Sequence, residues 1–266
     1  MNQTERRLYL LRSLLSERPE YHDWTIPQNA DEQRRLLRGL MNMRPPRPCG
    51  EELLRVQNAY LQQLLAERGV TDADGLSPVQ PGMYLWQGDI TTLKCDAIVN
   101  AANSGMTGCY APNHRCIDNA IHTYAGMQLR LACAELMERQ GHEEPTGQAK
   151  LTSAYNLPCR YVLHTVGPIV TGRLTERDCA LLQSCYQSCL TLAAAQGLES
   201  VAFCCISTGE FHFPNDRAAE IAVRTVREFL KQEVSIKKVI FNVFKDCDRE
   251  IYERLLQAAG TAEKGA

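Results

Sequence analysis

Residues 204–222 read CCISTGEFHFPNDRAAEIA, and this stretch decides the fold class. The apolar run SVAFCCIST that leads into it, residues 200–208, predicts a strand buried on both faces of a sheet. A helix opened by Pro214 and Asn215 follows within a few residues. Because a buried strand followed directly by a helix is the repeating unit of a layered α/β domain, we predict that class for the chain.

The same alternation of strands and helices extends from about Gly82 to the C-terminus. Together with the strand above, it predicts a sheet of about six strands with helices between them. The other predicted strands are residues 83–90, 96–103, 149–157, 161–168 and 237–244. The predicted helices are residues 117–140, 176–198, 214–232 and 246–259.

The chain before this region is helical. Leucines at helical spacing predict a first helix near the N-terminus, Asn29 predicts the start of a second, and Gly69 predicts the end of a third. A linker, VTDADGLSP, follows the third helix. We therefore predict a helical N-terminal extension over residues 1–75 and an α/β domain over residues 76–266.

The composition excludes several classes of protein. The net charge of −2 and the pI near 6.3 leave no strongly basic face for nucleic acid. No apolar run approaches the length of a membrane span, and the N-terminus lacks the apolar core of a signal peptide. We therefore expect a cytoplasmic protein with no nucleic-acid or membrane partner, whose twelve cysteines are reduced and mostly buried.

Three loops follow predicted strands at their carboxyl ends, where open α/β sheets bind ligands. Asp89 can accept a hydrogen bond from an amine or a hydroxyl, or it can cap a turn. Asn103 has a donor and an acceptor that suit a sugar diol, or it is a turn asparagine. In the third loop, Ser207 to Phe211, backbone N–H groups near a helix start favour a diphosphate, with Phe211 or Phe213 packing on a ring.

The stretch GCYAPNHRCIDNAIH, residues 108–122, contains several side chains that can bind a metal or transfer a proton. Its first part, the Cys-His-Cys loop (residues 108–116), has the spacing C-x4-H-x-C and contains Cys109, His114 and Cys116. Thiolates with an imidazole favour zinc. His114 and Cys116 can converge only if the chain there is not regular helix, and Pro112 and Asn113 favour an irregular backbone. A helix that starts near Cys116 would favour its thiolate.

The residues alone leave the nature of this site open. Three ligands leave a fourth position free, as in catalytic zinc sites. A closed structural site with a fourth ligand elsewhere is an equal alternative, and cysteines buried without any metal are another.

The motifs GDIT, IVNAAN and ISTGEFHFP, in this order and each after a strand, resemble the macrodomain family, which binds ADP-ribose. The resemblance implies a three-layer α/β fold with a central mixed sheet of about six strands. With its helical extension and its Cys-His-Cys loop, the chain also resembles a zinc-containing microbial branch of macrodomains that removes ADP-ribose from modified proteins. That likeness favours the open site, with about one Zn²⁺ per chain as cofactor.

The resemblance also implies roles for individual residues. Asp89, beside Ile90, would contact the adenine amine, and Asn103 would hold the distal ribose. The loop that wraps the diphosphate and distal ribose comprises Ser207, Thr208, Gly209, Glu210 and Phe211. DNAIH retains the Asp and His of hydrolytic macrodomains as Asp118 and His122, while CYAPNHRC replaces their glycine run.

The predicted function is zinc-dependent hydrolysis of the bond between ADP-ribose and a protein side chain, with Asp118 and Asn103 as catalytic residues. Asp118 would orient or deprotonate the attacking water. Alternatively, it stabilises the start of a helix or pairs with His122. His122 itself is expected to be structural. The substrate implied for some members of this branch is a lipoyl-carrier protein modified by a sirtuin-like transferase. Three alternatives stand: an ADP-ribose-binding module without catalysis, an ADP-ribose phosphate phosphatase, and a redox protein with a Cys109–Cys116 disulfide.

Overall fold

The computed structural model describes residues 1–233 and 235–262. In this part of the chain the α-helices are α1 (Gln3–Ser16), α2 (Ala30–Met43), α3 (Glu51–Arg68), α4 (Ile117–Ala125), α5 (Met127–Gln140), α6 (Glu176–Ala195), α7 (Asn215–Gln232) and α8 (Asp246–Ala262). The strands are β1 (Thr71–Asp72), β2 (Met83–Gln87), β3 (Leu93–Lys94), β4 (Ala97–Ala102), β5 (Ala149–Ser153), β6 (Tyr161–Val166), β7 (Ser200–Phe203) and β8 (Lys238–Val243). Short 3-10 helices span Pro19–Tyr21, Ala73–Gly75 and Ile90–Thr92.

The central sheet has six strands in the order β2-β8-β7-β4-β6-β5. All neighbours run parallel except β5, which pairs antiparallel with β6. The sheet is therefore mixed, and the prediction of about six strands is confirmed. A separate two-stranded parallel ladder joins β1 to β3.

Helices cover both faces of this sheet. Ile98 and Val99 are consecutive residues of β4, so their side chains point to opposite faces, yet both are fully buried. The helices form two packed groups: α7 contacts both α6 and α8, whereas α4 contacts α5 and β4. The result is a three-layer α/β domain, as predicted.

The three N-terminal helices precede the sheet and have an apolar core of their own. It contains Leu10, Leu11, Leu14, Leu37, Leu40, Met41, Leu53, Val56, Tyr60 and Leu61, together with Met127 from α5. Met127 therefore ties these helices to the α/β domain. The predicted division at residue 75 stays a prediction, and β1, which lies just before it, pairs with β3 beyond it.

The helix predicted over residues 117–140 is wrong as one element, because the chain breaks at Gly126 into α4 and α5. Gly126 has a φ of 98°, which glycine adopts without strain. Two distant side chains satisfy the backbone at the break: Gln57 Oε1 accepts from Met127 N, and Asn156 Nδ2 donates to Ala125 O. The break therefore depends on tertiary contacts that a local pattern does not contain.

The strand predicted over residues 200–208 is also shorter than expected. It ends at Phe203 as β7, and the following residues leave the sheet toward Ser207, which has a φ of 65°. In the part of the chain that the structure describes, no helix has the length and apolar character needed to cross a bilayer.

Candidate active site at the carboxyl edge of the sheet

Parallel pairing brings the three predicted loops to one edge of the sheet. The strands β2, β8, β7 and β4 are neighbours that run in the same direction. Their carboxyl ends therefore lie side by side, and the residues that follow β2, β4 and β7 share this edge. Asp89, Asn103 and Ser207 occupy these positions.

Asp118 lies in the first turn of α4, buried at 5% exposure, and its carboxylate is held by two amides. Asn100 Nδ2 donates to Oδ1 at 2.8 Å, and Asn103 Nδ2 donates to Oδ2 at 3.2 Å. Asn103 Oδ1 meanwhile accepts from Gly105 N at 3.0 Å, so this side chain also forms a turn. Asn103 and Asp118 are thus in direct contact, and their shared catalytic role stays a prediction.

Burial dominates the electrostatics of Asp118. Desolvation raises the pKa of this carboxyl to about 6, against the lowering effects of Asn100, Arg130 and Asn103. His122 Nε2 lies 3.5 Å from Asp118 Oδ1, but desolvation first, then His164 and Arg130, holds the pKa of His122 well below its usual value. A neutral, fully enclosed His122 fits the structural role expected for it.

Behind Asp118, a polar network continues into the core. Asn100 Nδ2 lies 3.1 Å from His164 Nδ1, and Thr152 Oγ1 lies 2.9 Å from His164 Nε2. His122, Cys133 and His164 bring their potential ligand atoms within 4.8 Å of one another. Both nitrogens of His164 have hydrogen-bond partners, whereas neither nitrogen of the buried His122 has one among the described residues.

The Cys-His-Cys loop brings its three predicted ligands together. One ligand atom from each of Cys109, His114 and Cys116 lies within 4.8 Å of the other two, and Cys109 Sγ is 3.5 Å from His114 Nδ1. A tetrahedral zinc with ordinary Zn–S and Zn–N bonds separates such atoms by about 3.6 Å. The donor set and its spacing therefore fit zinc.

The backbone of the loop is irregular, as the sequence predicted. Asn113 has a left-handed φ of 58°, which turns the chain between Cys109 and Cys116. Cys116 is the N-cap of α4, and its Sγ accepts from Asn119 N at 3.4 Å. The helix therefore starts where it was expected to start.

The expected thiolate at Cys116 is not favoured by the protein alone. Burial raises the pKa of this thiol to about 12, and the neighbouring Cys109 and Asp118 act in the same direction, although the Asn119 N–H opposes them. Desolvation is therefore the largest influence on the pKa of this thiol. A cation bound between the sulfurs would reverse this balance, because a coordinated thiol is deprotonated.

Glu210, which is predicted to lie in the loop around the diphosphate, also approaches the Cys-His-Cys loop. Its Oε1 lies 3.5 Å from His114 Nε2, across from the nitrogen that faces Cys109. Metal-binding histidines commonly donate their second N–H to a carboxylate, which fixes the ring. This contact links the loop after β7 to the Cys-His-Cys loop.

The rest of the loop after β7 is built to meet a polar ligand. Ser207 holds a strained left-handed conformation, and its buried Oγ has no hydrogen-bond partner among the described residues. No hydrogen bond within the described chain engages the backbone N–H groups of Gly209 and Glu210. Thr208 Oγ1 donates to Cys205 O at 3.1 Å and so braces the loop. Such exposed N–H groups bind anions.

The two aromatic residues of this loop differ in burial. Phe213 is 1% exposed and belongs to the main core, whereas Phe211 is only partly buried and its carbonyl accepts from Val170 N. Phe211 is therefore the one that can pack on a ligand ring.

At the other end of the edge, Asp89 caps the 3-10 helix Ile90–Thr92. Its Oδ1 accepts from Thr91 N and Thr91 Oγ1, and its Oδ2 accepts from Arg68 at the end of α3. The turn-capping alternative is thus observed, and a free lone pair on the carboxylate still suits an amine. Ile90 is 1% exposed and packs in the main apolar core.

The sequence did not reveal several residues at this edge. Phe244 follows β8 beside the end of β2 and is 75% exposed, and its position at a strand end was an available signal. Asn100 and His164 are polar residues inside apolar strands, which also was a signal. Arg38 and Asn42 of α2 touch the Cys-His-Cys loop through contacts that no local pattern indicates.

The fold defines a layered α/β protein with polar loops along the carboxyl edge of its parallel strands, and comparisons with known proteins agree with this description. A family model described as Macro domain matches residues 99–222. A Protein-ADP-ribose hydrolase from Treponema medium is 57% identical over 260 residues, which cover 96% of this chain and 100% of the relative. A protein of the same name from Staphylococcus aureus (strain MRSA252) is 50% identical over 247 residues, or 92% of each chain.

Among solved structures, the Trypanosoma brucei macrodomain in complex with ADP-ribose is similar, with a TM-score of 0.63 and 32% identity. The match covers 78% of this chain and 91% of that one. The chain belongs to the macro domain family.

Proposed function

We propose that this protein is a hydrolase that removes ADP-ribose from mono-ADP-ribosylated side chains of other proteins. Membership of the macro domain family and the names of the relatives support this function. The observation that carries it is the buried Asp118 carboxylate, which Asn100 and Asn103 hold at the carboxyl edge of the sheet.

In this proposal ADP-ribose lies along that edge. Asp89 accepts from the exocyclic amine of adenine beside the backbone of Ile90. The loop of Ser207, Thr208, Gly209, Glu210 and Phe211 surrounds the diphosphate, and its exposed N–H groups support this role. Asn103 and Asp118 meet the distal ribose.

Hydrolysis breaks the bond between the anomeric carbon of the distal ribose and the protein side chain. The transition state has oxocarbenium character. Asp118 orients the attacking water and accepts a proton from it as the water oxygen bonds to the anomeric carbon. The bond to the protein side chain breaks, the departing side chain takes up a proton from solvent, and Asp118 later returns its own proton to solvent. Asn103 keeps the carboxylate in the orientation that this step requires.

Cys109, His114 and Cys116 hold one Zn²⁺ per chain in the same proposal. The 3.5 Å separation of Cys109 Sγ and His114 Nδ1 supports it, as does the carboxylate of Glu210 beside the second nitrogen of His114. A bound zinc supplies a Lewis acid for an oxygen of the substrate, and two thiolates make it a weaker one than zinc held by three histidines.

The catalytic role is tested by release of ADP-ribose from a mono-ADP-ribosylated protein. We expect Asp118→Ala to slow release by at least about a hundredfold, since a positioned general base contributes that much. Asp96→Asn is the matched control, because Asp96 binds Glu199 N and Ser200 N at the opposite end of β4. If wild-type protein binds ADP-ribose but does not cleave it from the modified protein, the chain is a binding module, and that result overturns the proposal.

The metal is tested separately. We expect about one zinc per purified chain by elemental analysis, and its loss in Cys116→Ser and His114→Ala. Removal of zinc by a chelator is expected to stop release of ADP-ribose, and added zinc to restore it. If wild-type protein holds no metal and a chelator leaves release unchanged, zinc has no part in the reaction.

We further propose a cytoplasmic protein whose substrate is a lipoyl-carrier protein modified by a sirtuin-like transferase. Only the resemblance to the zinc-containing branch supports this substrate. A comparison of release rates from a modified lipoyl-carrier protein and from an unrelated modified protein tests it, and equal rates argue against the carrier.

A further inference from the structure

Helix α2 lies directly against the Cys-His-Cys loop. Asn42, which is 1% exposed, accepts from Asn113 N at 2.9 Å through Oδ1 and donates to Thr123 Oγ1 at 2.9 Å through Nδ2. Asn113 is the left-handed residue that turns the loop. Asn42 therefore fixes the turn that makes His114 face the two cysteines.

Arg38, one helical turn earlier on α2, holds the same loop at two further points. Its Nη2 donates to His114 O at 3.1 Å and to Asn119 Oδ1 at 2.9 Å. With its oxygen occupied by Arg38, Asn119 directs its Nδ2 to Ala111 O at 3.0 Å and to Cys109 O at 3.5 Å. The Arg38 guanidinium thus holds the backbone directly at His114 and, through Asn119, at Cys109 and Ala111.

Two other features bring α2 and the loop together. Gly39 lies between Arg38 and Asn42 in sequence, and a Cβ on it would lie 3.1 Å from Asn113 Nδ2, so the missing side chain permits the close approach. Arg130 of α5 donates both to Cys109 O and to Asn42 O. The contacts form a network that reaches the loop from α2 and from α5.

We propose that α2 sets the spacing of the zinc ligands and that Arg38 and Asn42 are positioning residues of the site. The proposal rests on the proposed function in that it takes Cys109, His114 and Cys116 as the metal ligands. A loop of this length with little regular hydrogen bonding loses much conformational freedom when it binds a metal. The contacts from α2 impose that order beforehand, so zinc binds more tightly.

The experiment measures zinc affinity by competition with a chromophoric chelator in the full-length chain. Arg38→Met and Asn42→Leu remove the contacts. Asn42→Asp keeps the acceptor for Asn113 N, and Gln33→Leu is the control, because Gln33 is a buried residue of α2 that binds Arg7 and Pro27 O. Hydrogen exchange of the amides of residues 109–116, with zinc removed, gives a second readout independent of activity.

We expect Arg38→Met and Asn42→Leu to weaken zinc binding by at least about tenfold, in the range found for residues that orient metal ligands. Their loop amides should exchange faster, whereas Gln33→Leu stays within twofold of wild type and Asn42→Asp falls between wild type and Asn42→Leu. Folded Arg38 and Asn42 variants with wild-type affinity overturn the inference. If wild-type protein binds no zinc, the proposed zinc site itself is wrong, and not only the role of α2.

If Asn42→Leu does not fold, Arg38→Met and Arg38→Lys decide the question, because they preserve most of the side-chain volume and leave the contacts of Asn42 in place. Wild-type zinc affinity and wild-type amide exchange in both variants count against the inference. A loss of affinity that exceeds that of Gln33→Leu supports it.

Discussion

Asn103 illustrates what one residue can and cannot reveal about the site. Its sequence context left two interpretations, a ligand-binding amide and a turn, and the structure contains the turn together with a hydrogen bond to Asp118. The two interpretations were therefore compatible, since one side-chain amide has a separate donor and acceptor. The sequence predicted the position of Asn103 at a strand end, but its contact with Asp118 depends on the placement of α4.

Phe244 gives a prediction at the scale of a single residue. It is 75% exposed at the end of β8, and its neighbour strand β2 leads to Asp89. Stacking of an aromatic ring on a base contributes about 1–3 kcal/mol, so Phe244→Ala should weaken ADP-ribose binding about five- to 150-fold, measured by calorimetry. The melting temperature should stay nearly constant, because little of the side chain is buried.

Trp24→Ala is the control for Phe244, since Trp24 is an exposed aromatic of the N-terminal region that contacts Tyr21. Equal ADP-ribose affinities for Phe244→Ala and wild type are incompatible with a base at this end of the edge.

At the scale of elements, local patterns predicted the strands and most helices well. The apolar runs that became β4 and β6 and the Gly69 end of α3 are signals carried within a few residues. The break at Gly126 was missed because its partners, Gln57 and Asn156, are distant in sequence. The contacts of Arg38 and Asn42 were missed for the same reason, as they span 76 and 71 residues.

The break between α4 and α5 is testable by Gly126→Ala. A Cβ there would lie 2.7 Å from Gln57 Nε2 and 3.0 Å from Asn156 Nδ2, at a φ of 98° that alanine rarely adopts. We expect the free energy of unfolding, measured with urea, to fall by about 1–3 kcal/mol. Gly172→Ala should change it little, because no atom lies within 4 Å of its added Cβ.

Gly141→Ala separates strain from crowding at that break. Gly141 also has a positive φ, of 75°, but nothing lies within 4 Å of an added Cβ. If Gly126→Ala costs no more than Gly141→Ala, the side chains of Gln57 and Asn156 are not what requires glycine.

On the scale of the whole molecule, a buried polar network connects the core to the site. His164 in β6, Asn100 in β4 and Asp118 in α4 form a chain of hydrogen bonds with no described residue of the network exposed. The sequence placed each residue on its element, yet it did not indicate that β6 lies beside β4 and aligns Asn100 with His164. Strand order is a property of the complete sheet, which is why this part of the site could not be predicted.

The same network makes stability depend on pH. Desolvation lowers the pKa of His164 from 6.5 to about 3, so the folded chain keeps this ring neutral. Between these pH values the unfolded chain binds a proton that the folded chain does not, and unfolding is therefore favoured as the pH falls. His164 should reduce the free energy of unfolding by about 1.4 kcal/mol per pH unit below pH 6.5.

His164→Gln tests this by urea unfolding at pH 7, 6 and 5. Glutamine does not titrate, so the variant should lose about 2 kcal/mol less than wild type between pH 6.5 and pH 5. Asp118, whose pKa of about 6 acts with the opposite sign, is present in both proteins and cancels in the difference. Parallel pH profiles for the two proteins would mean that His164 is protonated in the folded state, which contradicts its buried place between Asn100 and Thr152.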